Sequence, residues 1–131
     1  MVVNWVRDVM KKSTEHVPPY FPAIVGAWDM GFDAVLRDAP VVVVASAPAK
    51  DSSGIVDVTL ALSYFELVAP VLGLGTCWAG LLQGALLSSS EIRKKVEIPD
   101  DHIHHYPMMV GYPKSKYYRL PERKVPKIHW K

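Results

Sequence analysis

One long apolar segment, residues 57–80, constrains the fold of this chain more than any other feature; its sequence is DVTLALSYFELVAPVLGLGTCWAG. From residue 56 to residue 72 the only charged residues are Asp57 and Glu66, and apolar side chains occupy nearly every face of a helical projection. This pattern predicts a core helix that is buried on all sides rather than along one stripe. The chain should therefore fold around this helix.

Glycines follow the predicted helix closely. Gly73 and Gly75 supply the permissive backbone of a helix C-terminus, and residues 76–78 then read as a short buried strand that Gly80 ends. Backbone N–H groups left exposed at such ends can approach a flat or anionic ligand closely. Taken alone, the glycines are also explained as ordinary terminators of a helix and a strand.

The rest of the chain predicts helices and strands in alternation. Helices are predicted over residues 4–12, 21–30 and 81–87 and from the serine run 88–90 to a point before residue 99, and strands over 39–46 and 102–111. Four consecutive valines between Pro40 and Pro48 predict a strand that is buried on both faces. Pro107 predicts that the last strand lies at a sheet edge or a bulge. Ser52 or Ser53 is expected to cap the long helix.

The segment GLGTCWAG, residues 73–80, resembles the segment that closes the central helix of flavin-dependent nitroreductases. The acidic Asp57, the aromatic pair Tyr64 and Phe65, the strand at 39–46 and the C-terminal MMVGYPKSKYYRLPERKVPKIHW follow the order of the same family. The similarity is to the subgroup in which this domain follows an N-terminal iron–sulfur ferredoxin module. It covers essentially all 131 residues but only the C-terminal part of the nitroreductase domain, so we expect the N-terminal portion to be missing.

This resemblance implies an α+β fold with a nitroreductase-like sheet flanked by helices and truncated at the N-terminus. Residues 1–112 would form the partial domain, and residues 113–131 an extended basic C-terminal tail. The resemblance also implies a homodimer, because in this family the flavin sits between two subunits and the tail wraps the partner.

The site residues implied by the resemblance fall into two groups. Residues matching Cys77, Trp78, Ala79 and Gly80 lie beside the isoalloxazine ring of FMN in this family and donate backbone groups to its polar edge. Fixed backbone dipoles there stabilise the charge that a reduced flavin accumulates near N1 and N5.

The second group is basic. The family places basic residues of the tail on the flavin phosphate, which implies Arg119 first and Arg123 second, with Lys124 as a further candidate, because guanidinium groups match phosphate geometry. Residues 113–131 carry seven basic residues against Glu122 alone, a net +6 in a chain whose total is +2. Without the resemblance, this tail is a solvated charged segment, or a surface for nucleic acid, an anionic membrane or a phosphate-bearing ligand.

The function that the resemblance implies is FMN-dependent oxidoreduction of the nitroreductase type. Electrons would pass from NAD(P)H or ferredoxin to a nitro, quinone or similar small-molecule acceptor, and the flavin would supply the chemistry, so no protein acid or base is assigned. No residue in 1–60 matches the family's Arg-Ser-x-Arg-like segment, which predicts weakened FMN binding. The alternative is a truncated, catalytically impaired dimer of the same fold that acts as a non-enzymatic binding or interaction module.

Other kinds of site are not predicted. Strand alternation puts His102 and His104 on one face and His105 on the other, without an acidic or cysteine partner at a telling spacing, so no metal site is expected. Cys77, the only cysteine, lies in an apolar run that is predicted to be buried, which argues against a disulfide, an iron–sulfur cluster or a nucleophile. A reducing, cytoplasmic environment is therefore expected.

Neither nucleic acid nor a membrane is predicted as a partner. Tyr117 and Tyr118 beside lysines could stack on bases, but no nucleic-acid-binding module is recognisable. Residues 67–87 carry no charge and are long enough to span a membrane. Pro70, the glycines and Gln83 within this segment instead favour a helix, a strand and a second helix.

Overall fold

The computed structural model describes residues 1–12, 17–115, 118–119 and 122–130. These residues form a mixed helix and sheet fold, as predicted. The elements are α1 (Val2–Lys12), α2 (Phe21–Asp29), β1 (Val41–Ala47), α3 (Gly54–Val68), a 3-10 turn (Ala69–Leu72), β2 (Gly75–Trp78), α4 (Gly80–Ser88), α5 (Ser90–Lys95) and β3 (His104–Gly111). The predicted order of helices and strands is therefore confirmed, with bounds that move by a few residues.

The three strands form one antiparallel sheet in the order β1-β3-β2. In its register Val43 pairs with Met108, and Cys77 pairs with Met109. The strand that comes last in the sequence thus lies in the centre, and β2 forms an edge of only four residues.

The prediction that Pro107 places its strand at an edge or a bulge is wrong, because β3 is the central strand. A proline is tolerated there because β2 ends where the missing N–H would be needed. The N–H of Ala79 donates to the carbonyl of Pro107 at 3.0 Å, while the carbonyl of Ala79 accepts from the N–H of Gln83 at 2.9 Å, within α4. The carbonyl that would have needed a donor from Pro107 therefore finds one in the helix.

The sheet separates two apolar clusters, because successive side chains of a strand point to opposite faces. Met108 faces α3 and packs with Ala47, Val58 and Leu62. Met109 faces the other way, into a larger cluster that α1, α2, α4 and α5 complete. The buried members from those helices include Val6, Phe21, Ile24, Leu82, Leu86 and Ile92.

The valine run of β1 serves both clusters. Val43 packs toward α3, and Val42 and Val44 pack toward the opposite cluster. Both faces are covered, but most of the strand is only half-buried and Val41 is 52% exposed. The prediction of a strand buried on both faces is therefore too strong, because β1 lies at the edge of the sheet, where the two layers cover it only in part.

The prediction that the long helix is buried on all sides is also wrong. Only Gly54, Val58 and Leu62 of α3 are buried, because a single sheet covers a single face of the helix. The opposite face carries exposed apolar side chains at helical spacing, and the 3-10 turn continues the row: Val56, Leu60, Tyr64 and Leu67 lie in α3, and Val71 lies in the turn. We call this set the α3 stripe.

The helical stretch Gly54–Leu72 is long and apolar enough to cross a membrane by length and composition, a test that core helices of soluble proteins also pass. The membrane candidate considered from sequence, residues 67–87, is divided among α3, the 3-10 turn, β2 and α4. This division confirms the prediction of a helix, a strand and a second helix in that segment.

The predicted helix caps have mixed outcomes. Ser53 occupies the N-cap position of α3, but its side chain makes no capping hydrogen bond. The N–H of Ser53 instead donates to Asp51 Oδ1 at 3.1 Å. The serine run does cap α5, because Ser89 Oγ accepts from the N–H of Ile92 at 3.3 Å.

The described residues that follow Gly111 form no helix or strand. The residues described in 118–130 are exposed, including Tyr118 at 92% and Trp130 at 89%. Tyr117, one of the two tyrosines considered for base stacking, lies outside the described residues. The division into a domain of residues 1–112 and a tail of 113–131 stays a prediction.

Candidate functional site

The candidate site lies where β2 ends and α4 begins. In an antiparallel ladder the paired backbone groups alternate along the strand, and the bond from Ala79 to Pro107 fixes which residues of β2 face β3. By this alternation the N–H and C=O groups of Cys77 face β3, while those of Thr76 and Trp78 point to the free edge. The edge strand therefore offers donors and acceptors to a ligand lying beside it.

The N-terminus of α4 adds further donors to this edge. The first hydrogen bond of the helix runs from the N–H of Gln83 to the carbonyl of Ala79. The N–H groups of residues 80–82 precede that bond and have no acceptor within the helix. They carry the positive end of the helix dipole and favour negative charge in front of Gly80.

An open cleft of about 350 Å³ lies at this junction. It brings together the four residues expected at the flavin ring, Cys77, Trp78, Ala79 and Gly80. Its walls also include Tyr20, Leu81 and Arg37. Clefts of about 300–1,000 Å³ with a few convergent polar groups are the usual form of small-molecule sites.

Arg37 is a site residue that sequence reasoning missed, because residues 33–38 show no clear pattern. It lies in the turn before β1, where Arg37 and Asp38 both have φ of 55°. Two successive non-glycine residues in the left-handed region are uncommon and cluster at functional sites. The unusual backbone at Arg37 is visible only in the structure, and no sequence motif marks this residue.

A second open cleft, of about 800 Å³, continues along β2 on the other side of Cys77. Arg37, Cys77 and Met109 line both clefts, so the two meet at the edge strand. The second cleft is bounded by the end of β3 and the start of the tail, including Tyr112 and Lys114. A ligand larger than one cleft could therefore extend across both.

Cys77 is exposed, which corrects the prediction that it lies in a buried strand. The strand itself is confirmed, but β2 is an edge strand and its other side is open to the clefts. A ligand bound at this edge would therefore change the solvent accessibility of the Cys77 thiol.

The side chain of Trp78 is held on the side of the sheet that α3 covers. Its indole Nε1 donates to Glu66 Oε2 at 2.9 Å. Its ring meets that of Tyr106 edge to face, with centroids 5.1 Å apart and an interplanar angle of 72°. Trp78 thus links the candidate site to α3 and to β3.

The predicted phosphate ligands are not brought to this site within one subunit. Arg119, Arg123 and Lys124 are exposed, and none of them is among the described residues that line either cleft. The structure therefore gathers the predicted ring contacts and leaves the predicted phosphate contacts in solvent.

The three histidines near β3 form no metal site. His102 precedes the strand, and its Nδ1 lies 2.7 Å from Ser46 Oγ. His105 is 2% exposed, and its Nδ1 lies 3.2 Å from Gln83 Oε1. Burial lowers the pKa of His105 below 6.5, and the charge of Arg93 lowers it further. Across residues 1–12, 17–115, 118–119 and 122–130 no group of three or more potential ligands is positioned to bind a metal.

Comparison with known proteins gives two matches. The sequence model described as "Nitroreductase family" matches residues 2–112. The crystal structure of a nitroreductase with bound FMN from Bacteroides fragilis NCTC 9343 is similar in fold, with a TM-score of 0.65 and 21% sequence identity. That similarity covers 95% of this chain and 64% of the other, so this chain spans less than two thirds of the length of that protein. No curated protein matches the sequence significantly.

The family match extends from α1 through β3 and includes every residue of the candidate site at the junction of β2 and α4. The predicted segment GLGTCWAG occupies that junction, where the helix, the strand and the next helix follow one another as expected. The fold similarity to the FMN-bound protein agrees with this match. The chain therefore belongs to the nitroreductase family.

Proposed function

We propose that the chain binds FMN and acts as a flavin-dependent oxidoreductase of the nitroreductase type. The observation that carries this proposal is the cleft at the junction of β2 and α4, which gathers Cys77, Trp78, Ala79 and Gly80. Membership of the nitroreductase family supports the same cofactor.

The residues at the cleft fit the polar edge of a flavin ring. The outward-facing backbone groups of Trp78 at this cleft, and of Thr76 in the adjoining second cleft, suit a ring edge that carries both donors and acceptors. The carbonyl of Trp78 also accepts a long hydrogen bond from Cys77 Sγ, at 3.8 Å. The N–H groups at the start of α4 and the guanidinium of Arg37 offer positive charge. FMN, when bound, would supply hydride transfer, and these groups would stabilise negative charge on the reduced ring.

We propose that Arg119, with Arg123 as the second candidate, contacts the FMN phosphate from the tail. Both side chains are exposed and available to a neighbouring subunit. A tail that carries net +6 favours a phosphate electrostatically. The fit of the phosphate therefore depends on a homodimer in which the tail of one copy reaches the cleft of the other.

The α3 stripe supports this homodimer. Its four side chains within α3, from Val56 to Leu67, span about 17 Å at 1.5 Å per residue, and Val71 extends this apolar face into the 3-10 turn. Exposed apolar surfaces of this kind mark interaction sites more often than ordinary solvent-facing surface. A second copy, related by a twofold axis, would cover the stripe with an identical stripe.

The proposed electron donors are NAD(P)H or ferredoxin, and the proposed acceptors are nitro, quinone or similar small molecules. The open cleft supports a small-molecule acceptor, because the strand edge at Cys77, where the flavin ring would bind, is accessible from solvent. We propose a cytoplasmic location, with neither a membrane nor a nucleic acid as partner.

The second candidate is a catalytically impaired dimer of the same fold that serves as a non-enzymatic binding or interaction module. Two observations favour it. The chain spans 64% of the FMN-bound nitroreductase, and Arg119 and Arg123 do not line the cleft of their own subunit. Losing several phosphate contacts of about 1.5–3 kcal/mol each would weaken FMN binding by orders of magnitude.

An FMN titration followed by flavin fluorescence tests the proposal. We expect micromolar or tighter binding by the wild-type chain. Arg37→Ala and Arg119→Ala should each weaken binding by about 10-fold to 150-fold, because each removes a hydrogen bond from a charged group. Lys94→Ala, which removes an exposed charge of α5, is the matched control and should leave binding unchanged.

Alkylation of Cys77 provides a second readout of the same titration. Cys77 is the only cysteine and is exposed at the cleft, so bound FMN should slow its reaction with iodoacetamide. A protein that stays colourless and reacts at the same rate in excess FMN would support the non-enzymatic candidate instead.

A further inference from the structure

The contact between Glu66 and Trp78 is unusual for its position. Glu66 lies near the end of α3, is half-buried and lines the second cleft, at the margin of the apolar cluster that α3 forms with the sheet. Its carboxylate accepts from the indole N–H of Trp78 at 2.9 Å. Among the ion pairs of the described residues none involves Glu66.

A half-buried carboxylate without a cation is unfavourable for packing, since part of its hydration is lost. An apolar residue at the same position would extend the cluster of Val58, Leu62 and Phe65. The carboxylate is therefore not explained by the core of the fold. Its one observed partner, Trp78, belongs to the candidate flavin site.

A side-chain contact such as that between Glu66 and Trp78 would help to fix the orientation of β2, the strand that carries Trp78. β2 has four residues and pairs on one side only, so few ladder bonds fix its rotation about its own axis. Rotation of the strand would redirect the outward-facing N–H and C=O groups of Thr76 and Trp78 away from the two clefts. A side-chain tether on the opposite side of the strand opposes that rotation.

We propose that Glu66 is a positioning residue for the flavin site, acting through Trp78. It holds the indole against α3, where Tyr106 supports the ring from β3, and so orients the backbone of residues 76–80 toward the cleft. This inference rests on the proposed FMN function. It assigns to α3 a role on its sheet-facing side that is separate from that of the exposed stripe.

The tether is tested first by NMR in the full-length chain without ligand. The four tryptophans give four indole N–H signals, and Trp78→Phe identifies the one from Trp78. Glu66→Leu should move that signal upfield and speed its exchange with water, because the acceptor is lost. Glu66→Gln keeps an acceptor oxygen and should restore the hydrogen-bonded signal.

The positioning role is tested by FMN titration of the same variants. Glu66→Leu should weaken FMN binding about tenfold, which corresponds to about 1.4 kcal/mol. Glu66→Gln should bind within about twofold of the wild type, since it keeps the acceptor and loses only the charge. Asp57→Leu, which removes another carboxylate of α3 that is exposed, is the matched control and should have no effect.

A double-mutant cycle separates the tether from a general effect on the fold. Trp78→Phe removes the donor, so adding Glu66→Leu to it should cause little further loss of FMN affinity. Additive losses, or a Glu66→Leu variant that binds FMN as tightly as the wild type, would overturn the positioning role and leave the flavin function standing. A wild-type chain that binds no FMN would overturn the flavin function itself, and with it this role, even if the indole signal responds to Glu66→Leu.

Discussion

Replacing Leu67 by glutamine should convert the proposed dimer to a monomer at micromolar concentration. Leu67 lies in the α3 stripe and is 75% exposed in the isolated subunit. Glutamine matches leucine closely in length and helix propensity, so the substitution removes apolar surface without disturbing the helix. The effect should therefore fall on association rather than on folding.

The size of the effect follows from the exposed fraction. Full burial of a leucine side chain contributes about 1.5–3 kcal/mol, so covering the exposed three quarters of Leu67 contributes about 1.1–2.3 kcal/mol per copy. A twofold interface contains the residue twice, which gives about 2–4.5 kcal/mol for the dimer. The dissociation constant should rise by about 30-fold to 1,500-fold.

Sedimentation equilibrium over a range of concentrations measures this constant directly. Leu87→Gln is the matched control, because Leu87 is 66% exposed at the end of α4, outside the stripe, and its loss should not affect association. Unfolding by urea, measured at a concentration low enough to dissociate the wild-type dimer, should give similar stabilities for the wild-type and Leu67→Gln monomers. A Leu67→Gln dimer as tight as the wild type, or a wild type that is monomeric throughout, would refute the assignment of the stripe as the interface.

Two further predictions concern stability. Gly54→Ala should reduce the free energy of unfolding by about 1–3 kcal/mol, because a Cβ at Gly54 would lie 2.5 Å and 3.0 Å from ring atoms of His104. Gly26→Ala is the control and should be neutral or stabilising, because a Cβ at Gly26 would have no neighbour within 4 Å. Urea denaturation of the two variants compares their free energies of unfolding. His105 has a pKa lowered by burial, so the unfolded chain binds the proton more tightly and stability should fall as the pH drops below about 6.5. In His105→Gln this dependence should be weaker, and in His129→Gln, at an exposed position, it should match the wild type; equal slopes in all three proteins would contradict the reasoning.

The elements of the fold could be predicted from sequence because their signals are local. The valine run gave β1, the serine run gave the start of α5, and the glycines after residue 72 separated a helix from β2. The position of each strand in the sheet could not be predicted in this way. Strand order depends on contacts between residues that are distant in sequence. Pro107 predicted an edge strand because the sequence around it does not show that β2 ends opposite the proline, where no N–H is needed.

Burial of α3 illustrates a second limit. The sequence shows that apolar residues occupy all faces of this helix, but it does not show how many of those faces one subunit can cover. The structure covers one face, with Val58 and Leu62, and leaves Leu60 and Leu67 exposed. A uniformly apolar helix is therefore consistent with burial between subunits as well as within one.

The candidate site was predictable in part. The motif at residues 73–80 indicated Cys77 and Gly80, and the structure places both at one cleft. Arg37 and Glu66 could not be identified, because they reach that region from other parts of the chain and belong to no local motif.

Pro107 also has a consequence for how the chain finds its correct strand pairing. If β2 slipped along β3 by two residues, Cys77 would face Pro107, and its carbonyl would lack a donor in the sheet. That error would cost about 1–3 kcal/mol, whereas in the observed pairing the carbonyl of Ala79 is satisfied by Gln83. The missing N–H thus disfavours that slipped pairing relative to the observed one, which starts α4 at Gly80 and brings its first amides to the mouth of the cleft.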